Sequence, residues 1–473
     1  MMDAKRNGRE PQEALAELWS LGGGAAAALD RVDFTGAGPV LPSSFCVATA
    51  AQVSIAAAGL AAAEIHGLRN GQLQRVRVDK LHAATEFLSE RYLRIDGETP
   101  ELWDKLAGVY RCGDGRWVRI HTNFAHHRDR ILDILGCAAE REALVHAFAN
   151  WSALEFEECA AQSGAIAAMM RTELEWREHP HGQALKTVPI LTIERIGDAP
   201  VEPLPEHSRP LGGVRVLDLT RIIAGPVAGR TLAAHGADVL VLTAAHLPSV
   251  LPLVVDSGRG KLSCEVDLRR SSGLKSLEAL LIDSDVFVQG YRPGAIAERG
   301  CSPERAAQLR PGIVYVSLSA YGDVGPWCKR RGFDSIVQTA CGFNAEEAAA
   351  AGLDNPQALP CQALDHASGY LLAFGAMMAL RRRMTEGGSW HVRVSLARTG
   401  EWIRDFGRVT DGLRQEPPSA AMVQDFLQTT ASGFGQLTSV RHAAELSGTP
   451  AVWTRPSVPL GTHPPAWPAR QAS

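Results

Sequence analysis

Between residues 211 and 400, short apolar runs of strand length alternate with stretches of helical spacing, and this alternation limits the fold more than any other feature of the chain. VRVLDL (214–219), VLVL (239–242), DVFVQ (285–289) and IVYVSLS (313–319) are nearly continuous apolar runs, and 262–268 offers a further strand. Helices are expected over 224–235, where Pro226 suits a first turn, and over 273–281 and 303–309. The alternation predicts an α/β fold with a doubly wound, parallel, Rossmann-like sheet. Such sheets bind ligands outside the C-terminal ends of their strands, where the strand order reverses. The loops 220–226, 289–294 and 319–326, all carrying glycine and proline, are expected to gather there.

The remainder divides by composition. Residues 1–105 open with a helix over 11–21, pass a GAGP turn at 36–39, and continue as helix (50–68), strand (74–78) and helix (79–92). No Lys-Ser/Thr follows GAGP, so it is read as a turn and not a phosphate loop. Residues 106–200 read as a smaller α+β domain: a hairpin about Gly113-Asp114-Gly115, then helices over 126–135, 140–149, 153–162 and 172–178. Prolines among polar residues mark 201–210 as a linker between this domain and the Rossmann-like domain at 211–400. Residues 401–473, weakly patterned and proline-rich, are expected to wrap over another domain.

One carboxylate stands out. Asp365 precedes GYLLAFGAMMAL (369–380), a run of small and apolar residues predicting a buried helix of about three turns with Asp365 at or near its N-cap. Most aspartates so placed only satisfy backbone N–H groups. An internal repeat adds weight: shifting the chain by 316 residues places Arg77 on Arg393 and an alanine-rich helix on this one, with Thr49 in the place of Asp365.

Composition narrows the class. A chain of 473 residues with 45% hydrophobic and 21% charged residues is globular and large enough for two or more domains. A net charge of −4 offers no basic excess for nucleic acid or an anionic membrane. The apolar run 48–65 contains Gln52 and Glu64 and suits a core helix better than a membrane span. The charged start has no apolar signal core, and nine scattered cysteines form no Cys-x-x-Cys, so a cytoplasmic protein with reduced thiols is expected. His121, His126 and His127 cluster without nearby ligands at metal spacing, and no metal site is expected.

The segments GVRVLDLTRIIAGP, LAAHGADVL, RGKLSCEVDL, VQGYRPG, IVYVSLSAYGDVGPW, GFDSIVQTACGF and ALDHASG occur in this order. Together they resemble the class III CoA-transferases, the family of formyl-CoA and carnitine CoA-transferases and α-methylacyl-CoA racemase. Residues 42–105 resemble the later part of the family's large domain, as a truncated second copy. The resemblance implies that Asp365 is the catalytic nucleophile, moving CoA from an acyl-CoA thioester to a carboxylic acid through an aspartyl-CoA intermediate. It implies CoA contacts at Ile222, Ile223, Ala224, Lys261 and Tyr291, with Lys261 meeting a phosphate, and backbone N–H groups near Gly369 or in neighbouring glycine loops facing the oxyanion. No permanently bound cofactor is implied, since the CoA thioester is itself substrate, and the family's interlocked dimers imply a homodimer. Two other readings remain open. An acyl-CoA racemase or epimerase is disfavoured because Phe333 stands where the family's racemases carry a histidine. A non-catalytic CoA-thioester-binding or assembly subunit is favoured by Thr49 and by LTAAHLPSVLPL (242–253), which lacks the family's usual Glu-x-Pro.

Overall fold

The computed structural model describes residues 9–469; the first eight residues of the charged start and the last four residues of the chain lie outside them. A seven-stranded sheet runs in the order Lys261–Glu265, Asp238–Thr243, Arg215–Leu219, Val286–Gln289, Val314–Ser319, Ser389–Ser395 and Thr192–Gly197. Neighbours are parallel except at the last pair. The chain builds outward from Arg215–Leu219 first to one side and then to the other, so the order reverses between Leu219 and Gln289. The nearly continuous apolar runs are explained by two cores, one on each face. Val216, Val239, Val286 and Val314 face one; Leu217, Leu240, Phe287 and Tyr315 face the other. Helices Ala224–Ala234 and Ala363–Glu386 cover the first face, and Ser271–Ile282 with Pro303–Leu309 the second.

The antiparallel edge corrects one expected boundary. Thr192–Gly197 leaves the small domain before residue 200 and pairs with Ser389–Ser395. Its exposed Glu194 and Arg195 give it the polar look of a loop, as edge strands often have. The small domain keeps its own core, with Tyr110, Ile120, Phe148 and Phe156 between a three-stranded antiparallel sheet and three helices. Residues 201–206 have no regular secondary structure, and Arg69 holds the linker through the carbonyls of Pro205 (2.6 Å) and Pro210 (2.9 Å).

The shift of 316 residues reappears in three dimensions. Val47–Asn70 and Ala363–Glu386 each have 24 residues and pack against one another. Each leads into a strand, ending at Asp79 and at Ser395, and each of those residues caps the helix that follows. Val76–Asp79 lies between a parallel strand, Val32–Thr35, and an antiparallel one, Ala444–Leu446, just as Ser389–Ser395 lies between Val314–Ser319 and Thr192–Gly197. Val47–Asn70 is long and apolar enough to cross a membrane, but 83% of its most apolar window is buried in the protein. Beyond residue 405 the chain forms the hairpin Leu427–Ser432/Gly435–Val440. It then runs across the large sheet's flank, where Trp453 donates to Arg230 O (2.9 Å) and Arg455 pairs with Asp238 (2.6 Å).

Candidate active site

Asp365 is not the N-cap. The helix begins at Ala363 after Gln362 and continues to Glu386, so the carboxylate projects from the first turn of a helix twice the expected length. It is 6% exposed and lines a cavity of about 30 Å³ with Asp334, Glu90, His121, Ile222 and Phe333. Four parts of the chain meet here. Ser89–Tyr92 brings Glu90 from the N-terminal unit, and the end of strand Trp117–Ile120 brings His121. The loop after Arg215–Leu219 brings Ile222 and Ile223, and the start of Asp334–Ala340 brings Asp334.

The cluster is rich in acid. The Asp365 N–H donates to Asp334 Oδ2 (2.9 Å), Gln338 Nε2 also donates to Asp334, and His366 Nε2 meets Glu90 Oε2 (3.1 Å). Burial, then the charges of Asp334 and Glu90, push the Asp365 carboxyl well above its ordinary range. A helix N-terminus favours a carboxylate, but that contribution is of order 1 kcal/mol and desolvation outweighs it here. Burial likewise lifts Asp334 to about 7, against the hydrogen bonds that it accepts. His121 is pushed down to about 4 by burial, and its ring stacks on Phe333 with centroids 3.9 Å apart.

The stability consequence follows from the sign. A carboxyl whose folded pKa is raised keeps its proton longer in the native state, so stability is full below its unfolded value, 3.8, and is lost as pH rises toward about 7. Asp334→Asn keeps an acceptor for the Asp365 N–H and removes a charge. We expect the variant to gain on the wild type in urea midpoint between pH 5 and pH 8, and the acidic limb of its activity to move to lower pH. An unchanged limb would mean that Asp334 does not set the ionisation of Asp365.

A larger cavity, about 660 Å³, opens at the switch point beyond Leu219 and Gln289. All three expected loops reach it through Arg221, Tyr291 and Ser319, and 242–247 adds Leu242, Thr243, Ala244, His246 and Leu247. Its wall carries Arg221, Arg269, Arg292, Arg299, Arg330 and Arg331 against one carboxylate, Glu298, so it suits a polyanion. Ile222 and Phe333 line both this cavity and that of Asp365, which places the two side by side. Ile222 has φ 77°, a left-handed conformation that a β-branched residue adopts only when its surroundings impose it.

The sequence-derived residues fall unequally. Ile222 and Tyr291 line the large cavity, and Ile223 lines the smaller one. Ala224 is buried, its carbonyl 2.6 Å from where a Cβ on Gly369 would stand. Gly369 therefore serves close helix packing inside the helix and offers no free N–H to an oxyanion. Lys261 also departs from expectation. It is buried, donates to Asp218 Oδ2 (3.0 Å) and Pro226 O (2.8 Å), and lines a separate apolar pocket, so its charge is spent on Asp218. The arginines were missed, although Arg292 stands inside the GYRPG turn. Glu90 carries no local signal, while the sequence marks His121 only as one of a histidine cluster and Asp334 only within GFDSIVQTACGF, and no local pattern joins any of them to Asp365.

Residues 211–421 match the model of CoA-transferase family III. This domain, somewhat under half of the chain, is what is similar to CoA-transferase family III. An acyl-CoA transferase of Gibberella moniliformis is 29% identical over 78% of this chain and 73% of its own length. A probable fatty acyl-CoA transferase of Mycobacterium tuberculosis is 33% identical over 41% of this chain and 52% of its own. The succinyl-CoA:glutarate CoA-transferase of Mus musculus is 33% identical over 37% of this chain and 42% of its own. The chain thus spans most of the first relative and about half or less of the other two. The solved structure of Rv3272 from M. tuberculosis, 31% identical, covers 41% of this chain and 57% of its own at a TM-score of 0.39, an overlap too partial to bear on the fold. The six arginines of the large cavity and Phe333 fall inside the matched domain, whereas Phe124, His126, His127 and Ile166 of that cavity, and Glu90 and His121 beside Asp365, come from outside it.

Proposed function

We propose that the chain is a family III CoA-transferase and moves CoA from an acyl-CoA thioester to a carboxylic acid through a covalent intermediate on Asp365. The observation that carries the reading is the junction at Ile222 and Phe333: a buried, basic carboxylate opens onto a cavity lined by six arginines. CoA carries several phosphate charges, and the arginines answer them. With its phosphates in the large cavity, the pantetheine arm reaches past Ile222 and brings the thioester carbonyl to Asp365. The Asp365 carboxylate attacks that carbonyl carbon, the C–S bond breaks, and an acyl-aspartyl anhydride and CoA thiolate result. The thiolate attacks the aspartyl carbonyl, releasing the acyl group as a carboxylate and leaving aspartyl-CoA. The acceptor carboxylate attacks this thioester, forming a second anhydride and thiolate. Return of the thiolate to the acceptor's acyl carbon yields the new acyl-CoA and restores Asp365. One thioester is exchanged for another, so the cycle needs no ATP.

Glu90 extends the site into the N-terminal unit. The shared length of the first helix and the order and spacing of the two helix–strand–helix units support reading residues 42–105 as a truncated second copy that covers Asp365 from within the same chain; the proposal further takes the protein to act as a homodimer in the cytoplasm. Initial rates with an acyl-CoA and a free acid, without ATP, test the transfer. Parallel double-reciprocal lines are expected for a covalent intermediate. Intersecting lines would indicate direct transfer in a ternary complex.

A further inference from the structure

A third cavity, about 60 Å³, lies beneath helix Leu251–Ser257 and the C-terminal segment. Its walls include Val241, Val250, Leu253, Leu262, Val458 and Leu460. Ile222 lines this cavity as well as the other two, and Val250 and Leu253 are shared with the cavity of Asp365. The residue held at φ 77° therefore stands where the three spaces meet. A thioester carbonyl at Asp365 has CoA leaving on the arginine side and one other substituent, the acyl chain. Ile222, Val250 and Leu253 are the wall that the cavity of Asp365 shares with the third cavity, the side on which that chain lies.

The geometry points to this cavity as the acyl pocket, built for a short apolar chain. The proposal rests on the reading of Asp365 as nucleophile. Its size sets the chain length: an apolar cavity of about 150 Å³ accepts a benzene ring, so less than half of that suits a chain of about two to four carbons. Its charges set the polarity. Lys261 is held by Asp218 and Pro226 O, and the Arg221 guanidinium is turned to Pro248 O (3.1 Å) at the rim. A dicarboxylic acyl group would bring its second carboxylate against Asp218 with no free cation at the floor. Leu253 comes from the helix and Leu460 from the C-terminal segment, and both are half-buried. Leu253 stands on the side shared with the cavity of Asp365, whereas Leu460 lines this cavity alone, and the bulk of the two sets the length limit.

Calorimetry with S-alkyl-CoA thioethers, which cannot be transferred, measures the pocket apart from the chemistry. For the wild type we expect S-butyl-CoA to bind at least about tenfold tighter than S-octyl-CoA, whose extra carbons lie outside the space. S-(3-carboxypropyl)-CoA is expected to bind more weakly than S-butyl-CoA. Leu253→Ala, and independently Leu460→Ala, should improve octyl binding relative to butyl. Equal affinities in the wild type, tighter carboxypropyl binding, or an unmoved ratio in both variants would overturn the assignment. Acyl-CoA donors read in parallel separate the two levels. If octanoyl-CoA and butyryl-CoA modify Asp365 equally well, the acyl pocket is wrong and the transferase stands. If the thioethers follow the expected order while no donor modifies Asp365, the pocket stands and the nucleophile is wrong.

Discussion

Asp365→Ala will lose CoA transfer by at least about 10,000-fold while still binding CoA. The size of the loss follows from the role. A residue that forms the covalent intermediate has no substitute, and its removal leaves only the positioning of two substrates. Binding should survive because the arginines lie in the neighbouring cavity. Stability at neutral pH should rise, since the substitution removes a buried carboxyl that Asp334 and Glu90 both repel. Loss of activity with a gain of stability is the signature of a site held against its own electrostatics. Asp365→Asn, nearly the same shape, should be equally inactive. Residual transfer within about tenfold of the wild type in either variant would remove Asp365 from the chemistry.

The largest stability effect is expected at Asp256, which no catalytic argument touches. Asp256 Oδ2 accepts from Arg230 (2.5 Å) and Ser89 (2.7 Å), and Oδ1 accepts from Arg259 (2.7 Å), all of them buried. Burial alone would raise the Asp256 carboxyl, but the two guanidinium groups outweigh it and hold it down to about 2. One carboxylate does not fully serve two cations. Asp256 raises Arg230 despite burial, whereas burial and the charge of Arg230 leave Arg259 depressed to about 10. Asp256→Ala removes the close carboxylate of both buried cations, leaving Arg230 with Glu86 at 3.9 Å and Arg259 with Ser439 and the Val440 carbonyl, at a cost of about 3–5 kcal/mol. It also frees Ser89, and with it the helix that carries Glu90. The check is the urea midpoint at constant slope. Because the folded pKa is depressed, the contribution of Asp256 is present above 3.8 and is lost as pH falls through about 2, so the gap between variant and wild type should narrow in acid. A change below about 1 kcal/mol would show that water reaches the pair.

How legible these features were depended on where each residue's partners lie in the chain. VRVLDL and IVYVSLS announced a sheet covered on both faces because Arg215–Leu219 is buried throughout and Val314, Tyr315 and Val316 are buried in succession. TIERIG hid its strand because Glu194 and Arg195 face water, none of its residues is fully buried, and its partner lies some 200 residues away. The repeated pattern was readable because the two helices are each 24 residues long and each is followed at the same spacing by a strand that ends at the next helix's cap. Asp365 could be named from its segment, but its length of helix and its acidic neighbours could not. Glu90, His121 and Asp334 are brought to it by packing between separate units, and no spacing along the chain encodes that. Lys261 shows the reverse failure: a lysine before a strand looks like a phosphate ligand until Asp218, 43 positions earlier, is found against it.

Trapping the intermediate tests the central claim most directly. The purified protein is incubated with a panel of acyl-CoA thioesters, quenched with hydroxylamine, and its peptides are mapped by mass spectrometry beside Asp365→Ala. A hydroxamate on Asp365 in the wild type, absent from the variant, is the predicted result. Transfer that proceeds with no modification of Asp365 by any donor would contradict the account.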